Sequence, residues 1–390
     1  MRKIGPYEKT TMRSFRKAVC LVLIPSLLLM SVAPAMAGDD KMGFTTYYFT
    51  DSGENSVVTT AFNLAKRILD QTVFLIDIEL DNVTVPPVTA VTGATRPQRN
   101  SSEPFEKNRG QVILGIEQGL GLGSSFAVNG YRSQEVDYIS NAALATYSQE
   151  LFNGNTTLTA RGQYNSDEVG EILDDGTVFN RPKTTYSGVA SFSQILSPTT
   201  VLDLAYDYMN LSGFQSDPYR LVTVRDANGV SVQTNELHPS LRTRQAATGR
   251  ISQMIPAIQA SLIGSYRYYF DDWSVHSHTV ELRLNKYLFK DLILGFDYRL
   301  YTQTGAYFWK TQYNGQQYLN SAYRTADYKL KPFSSNNVGF SLSYLFRGLA
   351  ESSSNFEFLQ GSSVEIIYFR YFNDLDFSAD ILQASLKFSI

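Results

Sequence analysis

The sequence has little of the chemistry on which enzymes and metalloproteins depend. Its 390 residues include one cysteine, three histidines and two tryptophans. A single cysteine forms no intrachain disulfide and no cysteine-based metal site. Lysine and arginine number 34 against 37 aspartate and glutamate, so the basic excess typical of nucleic-acid binding is absent. We therefore expect no catalytic activity, no cofactor, no metal and no nucleic-acid partner.

Long hydrophobic runs are also scarce. The one pronounced run, 18–30, follows a basic segment and precedes the small residues Ala35-Met36-Ala37. That order predicts a cleaved secretory signal peptide over 1–37 and a mature chain of 38–390. A membrane anchor is the alternative, but the run is shorter than the about 20 residues of a spanning helix. A lipoprotein is disfavoured because Cys20 lies inside the apolar run and not at the cleavage point.

Cleavage would change the charge balance of the protein. Residues 1–37 contain six basic residues and one acidic residue, so the mature chain has 28 basic against 36 acidic residues, a net charge of −8. No stretch of the mature sequence is apolar enough for a membrane helix. If the mature chain spans a membrane, it does so as a barrel, because only helices and closed barrels pair every backbone group in lipid.

Period-two alternation, which predicts strands with one apolar face, recurs through the mature sequence. It is strictest at the end of the chain, where 382–390 alternates leucine, alanine, phenylalanine and isoleucine with polar residues. This ending resembles the C-terminal strand by which outer-membrane proteins are recognised for insertion. We expect it to pair with the first strand and close a barrel, with Gln383, Ser385 and Lys387 facing the lumen and Phe388 and Ile390 facing lipid.

The alternation predicts sixteen strands, which makes the fold class all-β: a transmembrane antiparallel up-and-down β-barrel behind a cleaved signal peptide. The predicted strands are 42–49, 56–67, 72–83, 109–118, 123–133, 138–149, 154–165, 183–194, 199–211, 240–253, 258–271, 275–288, 292–308, 336–346, 361–372 and 376–390. Short turns alternate with long loops at 84–108, 166–182, 212–239 and 309–335. The long connection 347–360 falls where a short turn is due, so the strand count is defined to within two.

The polar face of these strands contains charges of both signs, and we expect it to line the lumen. The candidate pore-lining residues are Asp77, Glu79, Asp81, Asp203, Asp207, Arg242, Arg244, Arg250, Arg267, Glu281, Arg283, Asp297 and Arg299. Placing an arginine on the lipid side at mid-membrane would cost about 2–4 kcal/mol. The solvent face of a soluble sandwich would explain the alternation, but not the export signal or the terminal strand. We expect a lumen without apolar lining, open or narrowed by a loop such as 84–108.

One constellation has the residue types of a metal or hydrolase site. Asp271, Asp272, His276 and His278 fall within eight residues, and carboxylates and imidazoles are common metal ligands. The alternation along the strands argues against a shared site. The two histidines fall on the same face as the apolar residues of their strand, whereas Asp271 falls on the same face as the lumen residues of its strand. The sequence favours an interfacial turn with aromatic and histidine side chains at the lipid headgroups.

Four stretches carry a resemblance to a known family. They are 46–52, 91–97, 266–279 and 331–335. In this order they are similar to domain of unknown function 3570 (DUF3570), a bacterial family of outer-membrane β-barrel proteins. The resemblance implies export and a barrel over nearly the whole mature chain, and implies neither a solute nor a catalytic residue. Members of this family resemble proteins encoded beside periplasmic thiol and flavin-transfer proteins, which associates them with redox or metal handling.

Two functions remain open from the sequence. The first is a porin-like outer-membrane channel, monomeric or trimeric, that passes polar solutes or a specific ligand through a charged lumen. The second is a non-conducting barrel scaffold that anchors a periplasmic or surface partner, such as a redox or metal-handling lipoprotein. A hydrolase or metal site at the rim is the least favoured. The oligomeric state is undetermined, because the predicted lipid faces are alike around the barrel.

The signal-peptide prediction has a direct test. We expect protein isolated from the membrane to begin at Gly38, because Ala35 and Ala37 provide the small residues required before a cleavage point. Intact-mass and N-terminal peptide measurements check this. Recovery of membrane protein that retains residues 1–37 would contradict it.

Overall fold

The structure, a computed structural model, describes residues 40–85, 105–172, 177–226 and 228–389. The predicted signal peptide, most of the loop 84–108 and the terminal Ile390 lie outside the described residues. Within them, antiparallel pairing joins sixteen strands into one closed barrel. All sixteen strands predicted from the alternation are present, so the predicted fold is confirmed.

The described residues form nineteen strands, β1 to β19 in chain order, of which β10, β11 and β16 lie outside the barrel. The strands are β1 (Lys41–Asp51), β2 (Ser56–Leu69), β3 (Thr72–Val85), β4 (Phe105–Gly121), β5 (Ser124–Gln134), β6 (Tyr138–Leu151), β7 (Thr156–Ile172), β8 (Val178–Ser197), β9 (Thr200–Gly213), β10 (Leu221–Arg225), β11 (Ser231–Asn235), β12 (Leu241–Ile255), β13 (Ala260–Asp271), β14 (His276–Phe289), β15 (Leu292–Gln303), β16 (Tyr313–Asn314), β17 (Phe333–Leu345), β18 (Ser363–Asn373) and β19 (Ser378–Ser389).

The barrel closes between its first and last strands. The register between β1 and β19 is continuous from Lys41 opposite Ser389 to Asp51 opposite Ala379. On the inward face of this seam the buried hydroxyls of Thr45 and Ser385 lie 3.0 Å apart. Every other neighbouring pair around the ring follows the chain order of the barrel strands, as expected of an up-and-down barrel with no free sheet edge.

Turns and loops separate to opposite ends of the barrel. At one end, here the turn end, connections of two to four residues join every strand pair but one. The other end, here the loop end, has the long connections 86–104, 214–240 and 304–332 together with connections of three to five residues. The expectation of a long loop at 166–182 is wrong, because β7 continues to Ile172 and β8 begins at Val178. The turn end also contains the connection 346–362, which folds into the helix Arg347–Ser352 and the 3-10 helix Ser354–Leu359. Its length therefore reflects local helical structure and leaves the strand count at sixteen. The remaining helices are Pro256–Ile258, Gly315–Asn320 and Tyr328–Leu330, and in the described part of the chain no helix is long and apolar enough to cross a membrane.

The outward face of the barrel is apolar and exposed. Leu80 is 59% exposed, and Leu114 and Ile116 are each 50% exposed. Aromatic side chains on neighbouring strands also pack against each other on this surface. The ring centroids of Phe44 and Phe62 are 5.1 Å apart. Water solvates such a continuous belt poorly, whereas lipid hydrocarbon covers it at no polar cost. The belt therefore identifies the barrel as membrane-spanning.

Both rims of the belt have interfacial side chains. Tyr268 and Phe270, on the outward face near the loop end of β13, have ring centroids 5.8 Å apart. At the turn end, large apolar residues project from successive turns, including Leu122, Phe152 and Phe289. Aromatic residues at both membrane–water boundaries are typical of outer-membrane barrels.

The inward face is less polar than the sequence indicated. The ladder register places Ile113 beside Asp77, Val189 beside Arg161 and Ile367 beside Gln383, all on the inward face. The expectation of a lumen without apolar lining is therefore wrong. The alternation along a strand decides which face each residue occupies, but it does not require every inward residue to be polar. A barrel of this width accommodates both polar and apolar side chains on its inner wall.

Two adjacent isoleucines on β18 provide a matched test of the two faces. Ile366 is 51% exposed on the outward face, whereas Ile367 faces inward opposite Ser341. We expect Ile366→Arg to lower the free energy of unfolding by roughly 1–3 kcal/mol, because it places a charge in hydrocarbon between the midplane, where the cost is largest, and the turn-end boundary. Urea unfolding in lipid vesicles measures the loss. The control, Ile367→Arg, should lose clearly less, and equal losses would contradict the assignment of faces.

Candidate functional site

All thirteen predicted pore-lining residues lie on the inward face, and most of them form ion pairs there. On β3, Glu79 and Asp81 pair with Arg109 of β4, at 2.6 Å and 2.5 Å from its Nη2 and Nε. Thr59 of β2 also donates its hydroxyl to Asp81. Asp77, the third β3 acid, forms no ion pair within the described ranges. Their role as the lining of a conducting path stays a prediction.

A second group of pairs lies on β9, β12 and β13. Arg250 is 3.9 Å from Asp203, and Arg267 is 3.9 Å from Asp207. Both are partly exposed pairs, which contribute little to stability but orient the side chains. Arg242 is different, because it is buried with the Asp271 carboxylate, to which its Nε and Nη2 donate at 2.9 Å and 2.5 Å.

Two further pairs lie on β14 and β15. Arg283 donates to Asp297 directly across the strand pair, and Arg299 is 3.3 Å from Glu281. These are cross-strand neighbours in the ladder register. The sequence predicted the opposite signs on neighbouring strands, and the structure brings them into contact.

Several inward charges form no ion pair with any described residue. They include Asp77 on β3, Arg161 on β7 and Arg244 on β12. Following the ring from β3 to β12 takes seven steps in a barrel of sixteen strands, so these strands lie nearly opposite. An unpaired acid on one wall and an unpaired base on the other create a field across the lumen.

The loop end has a cap, defined here as 214–240 together with 304–332. In it, β10 pairs antiparallel with β11 and parallel with β16, which joins the two long loops in one three-stranded sheet. The hairpin turn is held by Asp226, whose carboxylate accepts from the backbone N–H groups of Asn228 and Val230 at 2.9 Å and 2.8 Å. The cap is thus a folded unit.

An aromatic core attaches the cap to the barrel rim. Trp273 packs with Val275, Ala306, Phe308 and Leu330, and only 3% of the tryptophan is exposed. Its indole N–H donates to the Leu241 carbonyl at 3.0 Å, and the Arg242 guanidinium lies 4.1 Å above its ring. The expectation of an interfacial turn is therefore wrong for Trp273. Folding of the distant loop 304–332 over it, which no local pattern reveals, buries the ring in protein instead of lipid.

A buried polar cluster ties the two halves of the cap together. Glu236 accepts from the Asp217 backbone N–H at 2.7 Å and from the Thr325 hydroxyl at 2.8 Å. The Nε2 atom of His238 lies 3.3 Å from the same carboxylate, and its Nδ1 lies 3.0 Å from the Gln215 carbonyl oxygen. Burial alone would raise the pKa of Glu236, but the interactions with His238, Asp217 and Thr325 outweigh it and hold the pKa below its ordinary value.

The cap reaches several separate sectors of the rim. Tyr219 donates its hydroxyl to Asp137, between β5 and β6, at 3.1 Å. Arg220 is 3.3 Å from Asp327, linking the two loops. Burial raises the pKa of the Tyr328 phenol, and the charges of Asp327 and of Asp51 on β1 add to the effect. The cap contacts the rim at the β5–β6 connection, through Asp137, and at the β13–β14 connection, through Trp273, six strand positions apart around the ring. It therefore lies across the mouth of the lumen.

The histidine constellation is divided between two faces. Asp271 is buried beneath the cap, where it also accepts from the Tyr269 hydroxyl at 2.7 Å. His276 and His278 lie on the outward face, with Nδ1 atoms 3.0 Å and 2.7 Å from the hydroxyls of Tyr268 and Tyr266. In the described ranges, no group of three or more histidine, cysteine, aspartate or glutamate side chains is arranged to hold a metal.

The cap residues were missed by the sequence reasoning, which treated 212–239 as a plain loop. A signal was present: the alternating segments 221–225 and 231–235 flank the turn residues Asp226 and Gly229, a typical hairpin pattern. Gly229 has φ +81°, a conformation that favours glycine. No local signal indicates the contact between Glu236 and Thr325, which are 89 positions apart.

The closed sheet, apolar belt and aromatic rims together define the class of this protein, a transmembrane β-barrel of the outer-membrane type. The chain matches the family described as "Protein of unknown function (DUF3570)" over residues 18–389, and it belongs to that family. The family resemblance inferred from the sequence is thereby confirmed. No curated protein matches the chain.

Several solved barrels are similar in outline. The CymD monoaromatic hydrocarbon channel has 8% identity and a TM-score of 0.46, covering 96% of this chain and 94% of that one. A BenF-like porin from Pseudomonas fluorescens Pf-5 has 8% identity and a TM-score of 0.46, covering 90% and 98%. The ferric enterobactin receptor PfeA of Pseudomonas aeruginosa has 11% identity and a TM-score of 0.46, covering 86% of this chain, which spans about half (54%) of the receptor chain. The architecture of this protein rests on its own strand pairing.

The Glu236 cluster predicts an acid response of the cap. Because the pKa of Glu236 is lowered on folding, its stabilising contribution is complete above the ordinary carboxyl pKa of about 4.3 and is lost as the pH falls through the lower folded-state value. In a Trp309→Phe background, which leaves Trp273 as the single tryptophan, we expect its emission to stay constant from about pH 7 to about pH 5 and to shift to the red in stronger acid.

The matched variant is Glu236→Gln, which cannot ionise. We expect it to remove this acid transition, leaving only the pH response of the remaining carboxylates. An unchanged transition in Glu236→Gln would show that Glu236 does not control the cap.

Proposed function

We propose that the protein is an outer-membrane channel that passes polar solutes through a charged lumen narrowed by the cap. The observation that carries this proposal is the sixteen-stranded closed barrel with ion pairs around its inward face. Barrels of about this strand number enclose an aqueous passage unless a plug fills them. The proposed role is transport, with no reaction catalysed by the barrel.

The proposed orientation follows from the two ends. In outer-membrane barrels the short turns face the periplasm and the long loops face outward. On that basis the cap lies on the cell surface, and β1 begins and β19 ends on the periplasmic side. Solutes entering from outside would meet the cap before the charged wall, so that the cap would select by size and the wall by charge.

The field across the lumen supports selectivity for polar and zwitterionic solutes. Asp77 and Arg244 lie on nearly opposite walls, on strands seven steps apart. A polar solute meets a basic group at one wall and an acidic group at the other as it passes, and gains electrostatic energy that an apolar solute does not. The inward apolar residues Ile113 and Val189 lie between charged positions and provide contact for the solute's carbon skeleton.

The cap itself favours the second candidate function, a non-conducting scaffold. Its polar cluster and aromatic core hold it over the mouth through several independent contacts. If the cap stays closed, the barrel would instead anchor a periplasmic or surface partner, such as a redox or metal-handling lipoprotein. Planar-bilayer conductance separates the two functions, since the channel carries ion current and the scaffold does not.

A shortened cap sharpens this test. The Glu236 backbone N–H donates to the Arg220 carbonyl at 3.2 Å, so residues 221–235 can be replaced by two glycines without moving the barrel strands. We expect single-channel conductance roughly twofold or more above that of the intact protein, because the mouth is wider. A control with Asp226→Asn alone keeps the hairpin and should conduct as the intact protein does. Absence of current from both intact and shortened proteins would rule out the channel.

A further inference from the structure

We infer that Arg244 forms the centre of an anion-binding site on the inward wall of the barrel, beneath the cap, for a small carboxylate or phosphate group. The inference deepens the proposed channel function by assigning a ligand class to its wall. It rests on how the charges of β9, β12 and β13 are shared, and its binding test does not require that the barrel conduct ions.

Two arginines compete for one carboxylate. Asp271 is the register partner of Arg244 across β12 and β13. Its carboxylate instead accepts from Arg242, from the Tyr269 hydroxyl and from the backbone N–H groups of Trp273 and Val275, the last two at 3.0 Å and 2.9 Å. The acceptor capacity of Asp271 is therefore occupied, and neither of its oxygens is left to accept from Arg244.

Among the described residues, the other neighbours of Arg244 form no ion pair or hydrogen bond with it, although the charge of Asp272 lies near enough to attract it. Its register partner on β9 is Met209. The nearest inward acid along that strand, Asp207, pairs with Arg267. Asp272, at the rim, accepts from the Thr243 backbone N–H at 3.0 Å. Among the described residues, the Nε atom of Arg244 is buried and has no hydrogen-bond partner.

A further positive charge adds to the site. Lys183 of β8 is close enough to Arg244 for the two charges to repel. The Nζ atom of Lys183 lies 3.4 Å from the Asp167 carboxylate, with which it forms an ion pair, and it donates to the Tyr138 hydroxyl at 3.1 Å. An anion beside Arg244 would relieve this repulsion and supply the missing acceptor. The guanidinium fork matches the two oxygens of a carboxylate or phosphate.

The site would bind an anion more strongly than an exposed arginine does. The cap and the Trp273 ring lie over this part of the wall, next to Arg242. Such shielding lowers the local dielectric and reduces screening by salt, so a charge-assisted hydrogen bond gains strength. An exposed pair such as Arg250 with Asp203 lacks both advantages.

Isothermal titration of the purified full-length barrel in detergent, with inorganic phosphate and with succinate as separate probes, tests the site. We expect saturable binding of at least one probe and, for Arg244→Gln, affinity lower by about tenfold or more, since each tenfold corresponds to about 1.4 kcal/mol. The control Arg250→Gln, on the same strand and face, should remain within about twofold of the unsubstituted protein because its pair is exposed. Binding of phosphate alone, or of succinate alone, identifies the anion class.

Arg244→Lys covers the case in which Arg244→Gln does not fold. It keeps the charge but loses the fork, so we expect intermediate affinity. No binding of either probe by the unsubstituted protein, or equal affinity for Arg244→Gln and Arg250→Gln, overturns the site. Binding that depends on Arg244 in a barrel that carries no current overturns the channel and leaves the site in place.

Discussion

Every backbone amide that lies in lipid must find its hydrogen-bond partner inside the protein, and the rest of this structure depends on that constraint. A sheet satisfies it only when no edge is left, which is why β1 pairs with β19 along the whole length of both strands. Closure in turn sorts the side chains, since alternate residues must face either lipid or the enclosed space. The apolar belt and the charged inward wall are both consequences of this one seam.

The enclosed wall cannot be reduced to a simple row of ion pairs. Charges that lie opposite each other in the ladder generally pair, as Arg283 does with Asp297. Near the rim the pattern changes, because the turn between β13 and β14 occupies one oxygen of Asp271 with the backbone N–H groups of Trp273 and Val275, while the other oxygen accepts from Arg242. The unpaired charge of Arg244 thus results from the folding of the rim. In this way the outer end of the barrel shapes the electrostatics of the passage below it.

How much of this could be predicted from the sequence depends on the range of each interaction. The faces of Asp203, Arg250 and the other lumen residues were predictable because the period of a strand is local. The burial of Trp273 was not, since it depends on packing against Phe308 in another loop. The hydrogen bond between Glu236 and Thr325 was likewise not predictable, because the two residues are 89 positions apart and no local sequence pattern indicates their contact. The preference of Asp271 for Arg242 over its register partner Arg244 is decided by the same long-range packing.

The seam can be tested by one measurement, a disulfide across it. The sequence has no cysteine after Cys20, so a pair introduced as Thr45→Cys and Ser385→Cys stands alone in the mature chain. These residues are register partners whose buried hydroxyls lie 3.0 Å apart, a geometry that brings two cysteine side chains within bonding reach. The account predicts a disulfide in the folded protein that joins the two ends of the chain and alters its mobility in non-reducing denaturing electrophoresis, and none for Thr45→Cys with Leu386→Cys, which face opposite sides. Failure of the first pair to cross-link in folded protein, or equal cross-linking of both pairs, would contradict a closed barrel in this register.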